Sequence, residues 1–236
     1  MKQLLLLILG LSAATAQAQS TEVTLHATSG YFSYRGAAVS GPTVITGSDA
    51  ATEFPGFTSP PYGNRFTLSY GGAGQVQRVT AHQLVLGAQL GYEWLRSRVR
   101  IDYLSTSPFS SRVVPATGHT TFTSRFINTH LFVGRRFGVK AVSLDATLGP
   151  ELGIRGAERE KGEASGDGIT VRTNQKTSNE TTLDLRARAN LAAYYQRFGL
   201  SVGYSYGLLD YERGYTGGIN GFYSQMLRVG LAYRLN

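Results

Sequence analysis

Residues 181–196 read TTLDLRARANLAAYYQ and alternate almost without error. Leu183, Leu185, Ala187, Ala189, Leu191, Ala193 and Tyr195 take one set of positions, while Asp184, Arg186, Arg188 and Asn190 take the other. Side chains on a strand point to opposite faces with a period of two, so this segment is a strand with one apolar and one charged face. Which face lies inside decides the fold. In a barrel surrounded by water the apolar face fills the interior; in a barrel surrounded by lipid the order is reversed.

Seven further segments show the same period and are separated by turn residues: 22–34, 65–77, 83–94, 125–137, 141–154, 198–209 and 222–236. The first of them is the least regular. Residues 98–107, which include Val99, Ile101 and Tyr103, read as a strand extension followed by a loop, because a ninth strand would break the parity of the set. The connections alternate, with short ones near 78–82, 138–140 and 196–197 and longer ones at 37–63, 95–120, 155–179 and 211–221. Short turns at one end and long loops at the other are the habit of transmembrane barrels. The expected fold is all-β, an eight-stranded antiparallel up-and-down transmembrane β-barrel with both termini on the short-turn, periplasmic side.

The polar face separates the two solvents. A face in water carries Lys and Glu of any size, whereas here it carries Gly, Ser, Thr, Asn and Gln with a few Arg and carboxylates, as a confined lumen requires. If Tyr195 and Phe198 flank the turn at Gln196 and Arg197, Arg188 lies beside Ser205 and Arg186 beside Gly207. Each guanidinium then has a small neighbour, which suits side chains sharing limited volume. Aromatic residues fall near both ends of the apolar face. Phe137, Tyr195, Phe198 and Tyr233 stand by the short turns, and Tyr70, Trp94, Tyr206 and Tyr223 stand toward the long loops, as two interfacial girdles would.

The first residues, MKQLLLLILGLSAATAQAQS, have a single Lys2, a short apolar run and small residues ending in Ala16-Gln17-Ala18. This is the layout of a secretory signal peptide, so residues 1–18 are expected to be removed and 19–236 to form the barrel; cleavage after Ala16 is the alternative. The apolar run is far shorter than the roughly 20 residues of a spanning helix. Among 236 residues there is no cysteine, hence neither a disulfide nor a lipidated cysteine. The formal charge is +8, which falls by one to +7 without Lys2. In an exported protein that balance points to anionic surfaces and not to nucleic acid.

Three features bear on chemistry. Gly199-Leu200-Ser201-Val202-Gly203 matches the G-x-S-x-G of hydrolases, but that motif needs a strand-to-helix elbow, and here it lies within an alternating strand. The glycine-rich YGGAGQVQ at 70–77 lacks the lysine of a phosphate-binding loop and is read as relief of crowding in a curved strand. The histidines, His26, His82, His119 and His130, have no metal-ligand spacing. Catalytic, metal and cofactor sites are therefore not expected. The distinctive charges are Asp145, Glu151, Asp184, Arg186, Arg188 and Arg228, read as a lumen polar network that plugs the barrel, because eight strands enclose room only for their own side chains. A binding site or ion path is the other reading of the same residues. Residues 155–179, polar and charged, are read as a loop in solvent, with Ile169 and Val171 in an extended hairpin arm, and SPPYGNR at 59–65 as a rim segment.

The segments LSYGGAGQVQRVTAHQLVLGAQLGYEWLRSRV, ATLGPELGIRG and MLRVGLAYRLN resemble the Gram-negative outer-membrane β-barrel domain family, in its small PorT-like and OmpX-like forms. The resemblance covers nearly the whole mature chain and implies outer-membrane lipid, lipopolysaccharide and the barrel insertion machinery as partners of a monomer. Many such barrels end in an aromatic residue that this machinery reads; this chain ends Tyr233-Arg234-Leu235-Asn236, with Tyr233 as the substitute. The expected role is structural or surface-interacting and non-enzymatic. A lipid-modifying acyl hydrolase or transferase and a small pore are the alternatives.

Overall fold

The computed structural model describes residues 20–39, 42–47, 56–107, 113–177, 182–211 and 221–236. The expected signal peptide lies outside them. Eight long strands form a closed ring: β1 (Ser20–Arg35), β4 (Arg65–Val79), β5 (Leu84–Ser105), β6 (Val114–Val139), β7 (Val142–Gly166), β9 (Thr182–Tyr195), β10 (Phe198–Gly207) and β11 (Tyr223–Arg234). Each is antiparallel to the next, and β1 closes the ring by pairing with both β4 and β11. The least regular segment of the sequence is thus the one that seals the barrel. Three short strands lie outside the ring: β2 (Val44–Thr46), β3 (Phe57–Ser59) and β8 (Ile169–Thr177).

The register at β9–β10 is Tyr195 opposite Phe198, Arg188 opposite Ser205 and Arg186 opposite Gly207. The two faces have inverted exposure. Arg186 and Glu151 are 0% exposed, whereas Leu200, Leu231 and Leu90 are 65%, 64% and 61% exposed. No water-soluble protein leaves so continuous an apolar belt uncovered, so the outer face is built for lipid. From Leu84 to Trp94 the apolar face of β5 runs roughly 33 Å along the strand, about 25 Å along the membrane normal at the usual tilt, which matches the apolar band of a membrane barrel.

The loop end departs from the sequence reading in two ways. Residues 95–120 are mostly strand, since β5 continues to Ser105 and β6 begins at Val114. Residues 155–177 form a hairpin, as their pattern suggested, with β7 reaching Gly166 and β8 returning from a turn at Asp167 and Gly168. The arm is not free in solvent. Val171 is fully buried against Ile45, Val99, Ile101, Leu104, Ala116 and Ala164, which form a second apolar core above the barrel. Parallel pairing of β2 with β5, the β2–β3 hairpin, and hydrogen bonds from Thr173 Oγ1 (2.6 Å) and Gln175 Nε2 (3.0 Å) to the Gly56 carbonyl fold the extension over on itself. The result is a lobe with its own interior, carried on the continuous strands β5, β6 and β7.

Candidate functional site

Small residues opposite large ones make room for the lumen. Gly71 faces Glu93, Gly153 faces Asp184, Gly149 and Ser205 face Arg188, and Gly207 faces Arg186. A Cβ on Gly71 would fall 2.4 Å from the Tyr92 carbonyl oxygen and 2.7 Å from Glu93 Cγ. Of the glycines of YGGAGQVQ, Gly71 thus relieves crowding, and part of what it accommodates is a carboxylate, whereas a Cβ on Gly72 would meet only ordinary contact and one on Gly74 nothing within 4 Å.

Six residues expected from sequence occupy the lumen, and the structure divides them between two groups. In the group nearer the loops, Glu151 accepts from Arg186 Nη1 (2.9 Å), Arg188 Nη1 (2.9 Å) and Arg228 Nη2 (3.0 Å). Asp184 accepts from Arg186 Nε (2.5 Å) and Ser224 Oγ (2.8 Å). Glu93 accepts from Arg228 Nε and Nη2, each at 2.8 Å, and from Asn128 Nδ2 at 2.5 Å. Arg228 Nη1 also donates to Ser205 Oγ. Three guanidinium groups meet three carboxylates.

Asp145 belongs to the second group, nearer the termini. There Arg136 binds Asp145 through Nε (2.6 Å) and Nη2 (2.7 Å), and Glu22 through Nη1 (2.6 Å) and Nη2 (2.8 Å). Arg234 approaches Glu22 at 3.1 Å, and Gln77 Nε2 donates to Glu22 and Asp145. Two arginines here meet two carboxylates. An isolated buried charge costs several kcal/mol, and pairing within each group offsets it. Glu22, Glu93 and Arg136 were not among the six, although period two sets each of them on the polar face.

Above the charges lies an aromatic cluster that alternation did not reveal. Phe126 sits 4.8 Å from the Arg186 guanidinium, and over it pack Tyr34, Tyr62, Phe122, Tyr211 and Phe222. Tyr62, from the stretch read as rim, is wedged between Phe222 (4.2 Å) and Phe122 (5.0 Å). Asp210 accepts from the backbone N–H of Gly221 and Phe222 at 2.8 and 3.0 Å and holds the last loop's base over this cluster. Between the two charge groups a cavity of about 30 Å³, lined by His26, Gln75, Gln89, Arg188, Asn190 and Ser201, has room for about two waters. Ser201 stands mid-strand in β10, with no helix following. Among the described residues no three metal-ligating side chains come together.

The eight aromatic residues lie on the outer face at its two ends. At the terminal end Phe198 and Tyr233 meet edge to face at 5.3 Å, with Tyr195 opposite Phe198 and Phe137 exposed nearby in β6. At the loop end Tyr70 and Trp94 stack at 5.4 Å, and Tyr206 and Tyr223 flank the Arg35 guanidinium at 3.6 and 4.8 Å.

A family profile agrees with this architecture. The profile of a family described as "Outer membrane protein beta-barrel domain" matches residues 17–212. Among solved structures, Ail, the attachment invasion locus protein of Yersinia pestis, aligns at 11% identity over 92% of this chain and 100% of its own, with a TM-score of 0.31. Neisserial surface protein A aligns at 10% identity over 92% and 99%, with a TM-score of 0.34. No curated protein matches.

Proposed function

The chain belongs to the outer membrane protein β-barrel domain family, and we propose that within it this protein is a monomeric, non-enzymatic surface-interaction protein whose barrel serves as a filled support. One observation carries this reading: the lumen is occupied by two charge-balanced networks and an aromatic cluster, while the strands that leave the membrane build a lobe with a core of its own. A pore needs a continuous wet path, and the lumen offers a cavity of about 30 Å³. A lipid hydrolase needs a nucleophile open to lipid, and Ser201 faces that same small lumenal cavity. Rigid support beneath exposed strands suits recognition at the cell surface. The termini then face the periplasm, where Tyr233 is offered to the insertion machinery, and the lobe faces outward.

The test is made on the full chain in cells and in bilayers. The outer-membrane fraction should hold a band whose migration changes on boiling, and protease added to intact cells should reach the lobe. Single-channel conductance in planar bilayers or release of fatty acid from lipopolysaccharide would overturn the reading.

A further inference from the structure

The strands of the lobe are those of the barrel, so the face that looks at lipid below continues as the outward face above. On β5 it runs Leu90, Tyr92, Trp94 and then Arg96, Arg98 and Arg100. On β7 a simple alternation would turn the next basic residues inward. A bulge prevents this: Gly156 and Ala157 together oppose Arg125, and beyond them Arg159 and Lys161 point out while Glu158 and Glu160 point in.

Pairing then aligns the outward residues in rows. Arg96 lies beside Thr123, Thr123 beside Arg159, and Arg159 beside Lys176. In the next row Arg65 lies beside Arg98, followed by Thr121, Lys161 and Asn174. The third holds Arg100, His119, Glu163 and Arg172. The charge is graded. Both acids of this face belong to the far end, where Asp102 pairs with Arg100 at 2.7 Å and Glu163 with Arg172 at 3.2 Å. The two rows nearer the membrane contain no acid, and Arg65, Arg96, Arg98, Lys161 and Lys176 have no ion pair among the described residues.

Height selects the partner. Arg96 stands two residues beyond Trp94, about 7 Å along the strand and roughly 5 Å along the normal, and the second row stands about 5 Å higher. Tyr and Trp rings mark the headgroup level, so the two acid-free rows lie where the phosphates of outer-leaflet glycolipid lie. A cleft of about 840 Å³ begins at Tyr70, climbs past Arg96, Thr123, Arg159 and Lys161 and ends at the third row, where Glu163 is already paired with Arg172; Arg98 stands beside it in the second row.

We infer that this outward face of β5–β8 binds the phosphate groups of lipopolysaccharide in the protein's own membrane, with Arg96, Arg98, Arg159 and Lys161 as the principal donors. A soluble polyanion would gain nothing from charge concentrated at the membrane side, whereas a glycolipid phosphate is held there by its own anchor. The inference rests on the outer-membrane orientation proposed above and fixes the lobe's posture on the bilayer.

Full-length protein is refolded into phosphatidylcholine vesicles containing either bisphosphorylated or dephosphorylated lipid A. Emission of Trp94, the chain's one tryptophan, reports binding beside the first row. Wild type should respond to bisphosphorylated lipid A in a salt-sensitive manner. Arg96→Ser, Arg98→Ser and Lys161→Ser should each weaken that response about fivefold. Arg159→Ser with Lys176→Ser gives an independent pair of exposed sites. Equal response to dephosphorylated lipid A, or undiminished response in both sets of variants, would overturn the site while leaving the barrel reading intact. An equal response to soluble heparin in phosphatidylcholine vesicles would transfer the face to a soluble partner and also overturn it. Failure to insert into either vesicle would defeat the surface reading and this site together.

Discussion

Arg228 on β11 grips both carboxylate oxygens of Glu93 on β5 at 2.8 Å, across a lumen in which β4 and β1 separate the two strands around the wall. The bond ties opposite sides of the ring, so its loss acts on closure. Arg228→Met leaves Glu93 a buried carboxylate with Asn128 for company, and should cost about 3–5 kcal/mol. Arg228→Met with Glu93→Leu should cost less than Arg228→Met alone, because neither charge is then orphaned. Urea titration of the folded, heat-modifiable band measures both. Equal losses in the single and double variants would mean that packing, and not charge, holds the pair.

Gly71 supports that grip from the neighbouring strand. A side chain there meets the Tyr92 carbonyl at 2.4 Å, a backbone atom that cannot rotate away. Gly71→Val should therefore lower stability by about 1–3 kcal/mol, the usual cost of overpacking. Gly74, whose Cβ would meet nothing within 4 Å, is the control, and Gly74→Ala should be near neutral. Comparable losses at the two positions would refute the crowding argument.

Glu160 gives the lobe a pH dependence. Its carboxyl is buried in the lobe interior, and desolvation raises its pKa above 4.5 in spite of the Thr58 and Thr173 hydroxyls beside it. The folded lobe then holds the proton more tightly than the unfolded chain does. Its stability contribution is present at low pH and is lost as pH rises from 4.5 through the raised value. Glu163 acts in the opposite sense, because hydrogen bonding and charge from Arg172 lower its pKa. The difference between wild type and Glu160→Gln isolates the first effect. It should grow as pH rises, measured by the protease susceptibility of the lobe in vesicles, and a difference that does not change with pH would refute it.

Alternation was enough to read the ring, because one-residue slips would expose Arg186 to lipid and bury Leu185 in the lumen. The tight turn at Gln196 and Arg197 likewise gave Arg188 beside Ser205 and Arg186 beside Gly207. It could not reveal who bonds whom across the lumen, where Glu93 meets Arg228 and Glu22 meets Arg136; Arg136 and its other partner Asp145, by contrast, stand directly opposite each other on neighbouring strands. Aromatic residues misled in another way. Phe126 and Tyr62 carry the same letters as girdle residues yet fill the barrel mouth, where a Phe ring suits the interior as well as lipid does. The lobe was hidden for a related reason: Val99, Ile101, Val171 and Ile45 come from three separate segments, and each alone resembles a polar loop with one or two apolar residues.

That assembled core gives the last prediction. Val171 is fully buried among Ile45, Ile101 and Leu104, on a hairpin that the barrel does not need for closure. Val171→Asp puts a carboxylate among the apolar side chains of that core. A buried unpaired charge costs several kcal/mol, more than so small a core can supply, so the lobe should open at residues 166–169. The ring pairings of β9, β10, β11, β1 and β4 do not pass through it, and the barrel should keep its heat-modifiable migration. Protease added to vesicles should then cut the variant within the lobe and leave a membrane-protected core. Loss of the folded band altogether would show that lobe and barrel fold as one cooperative unit.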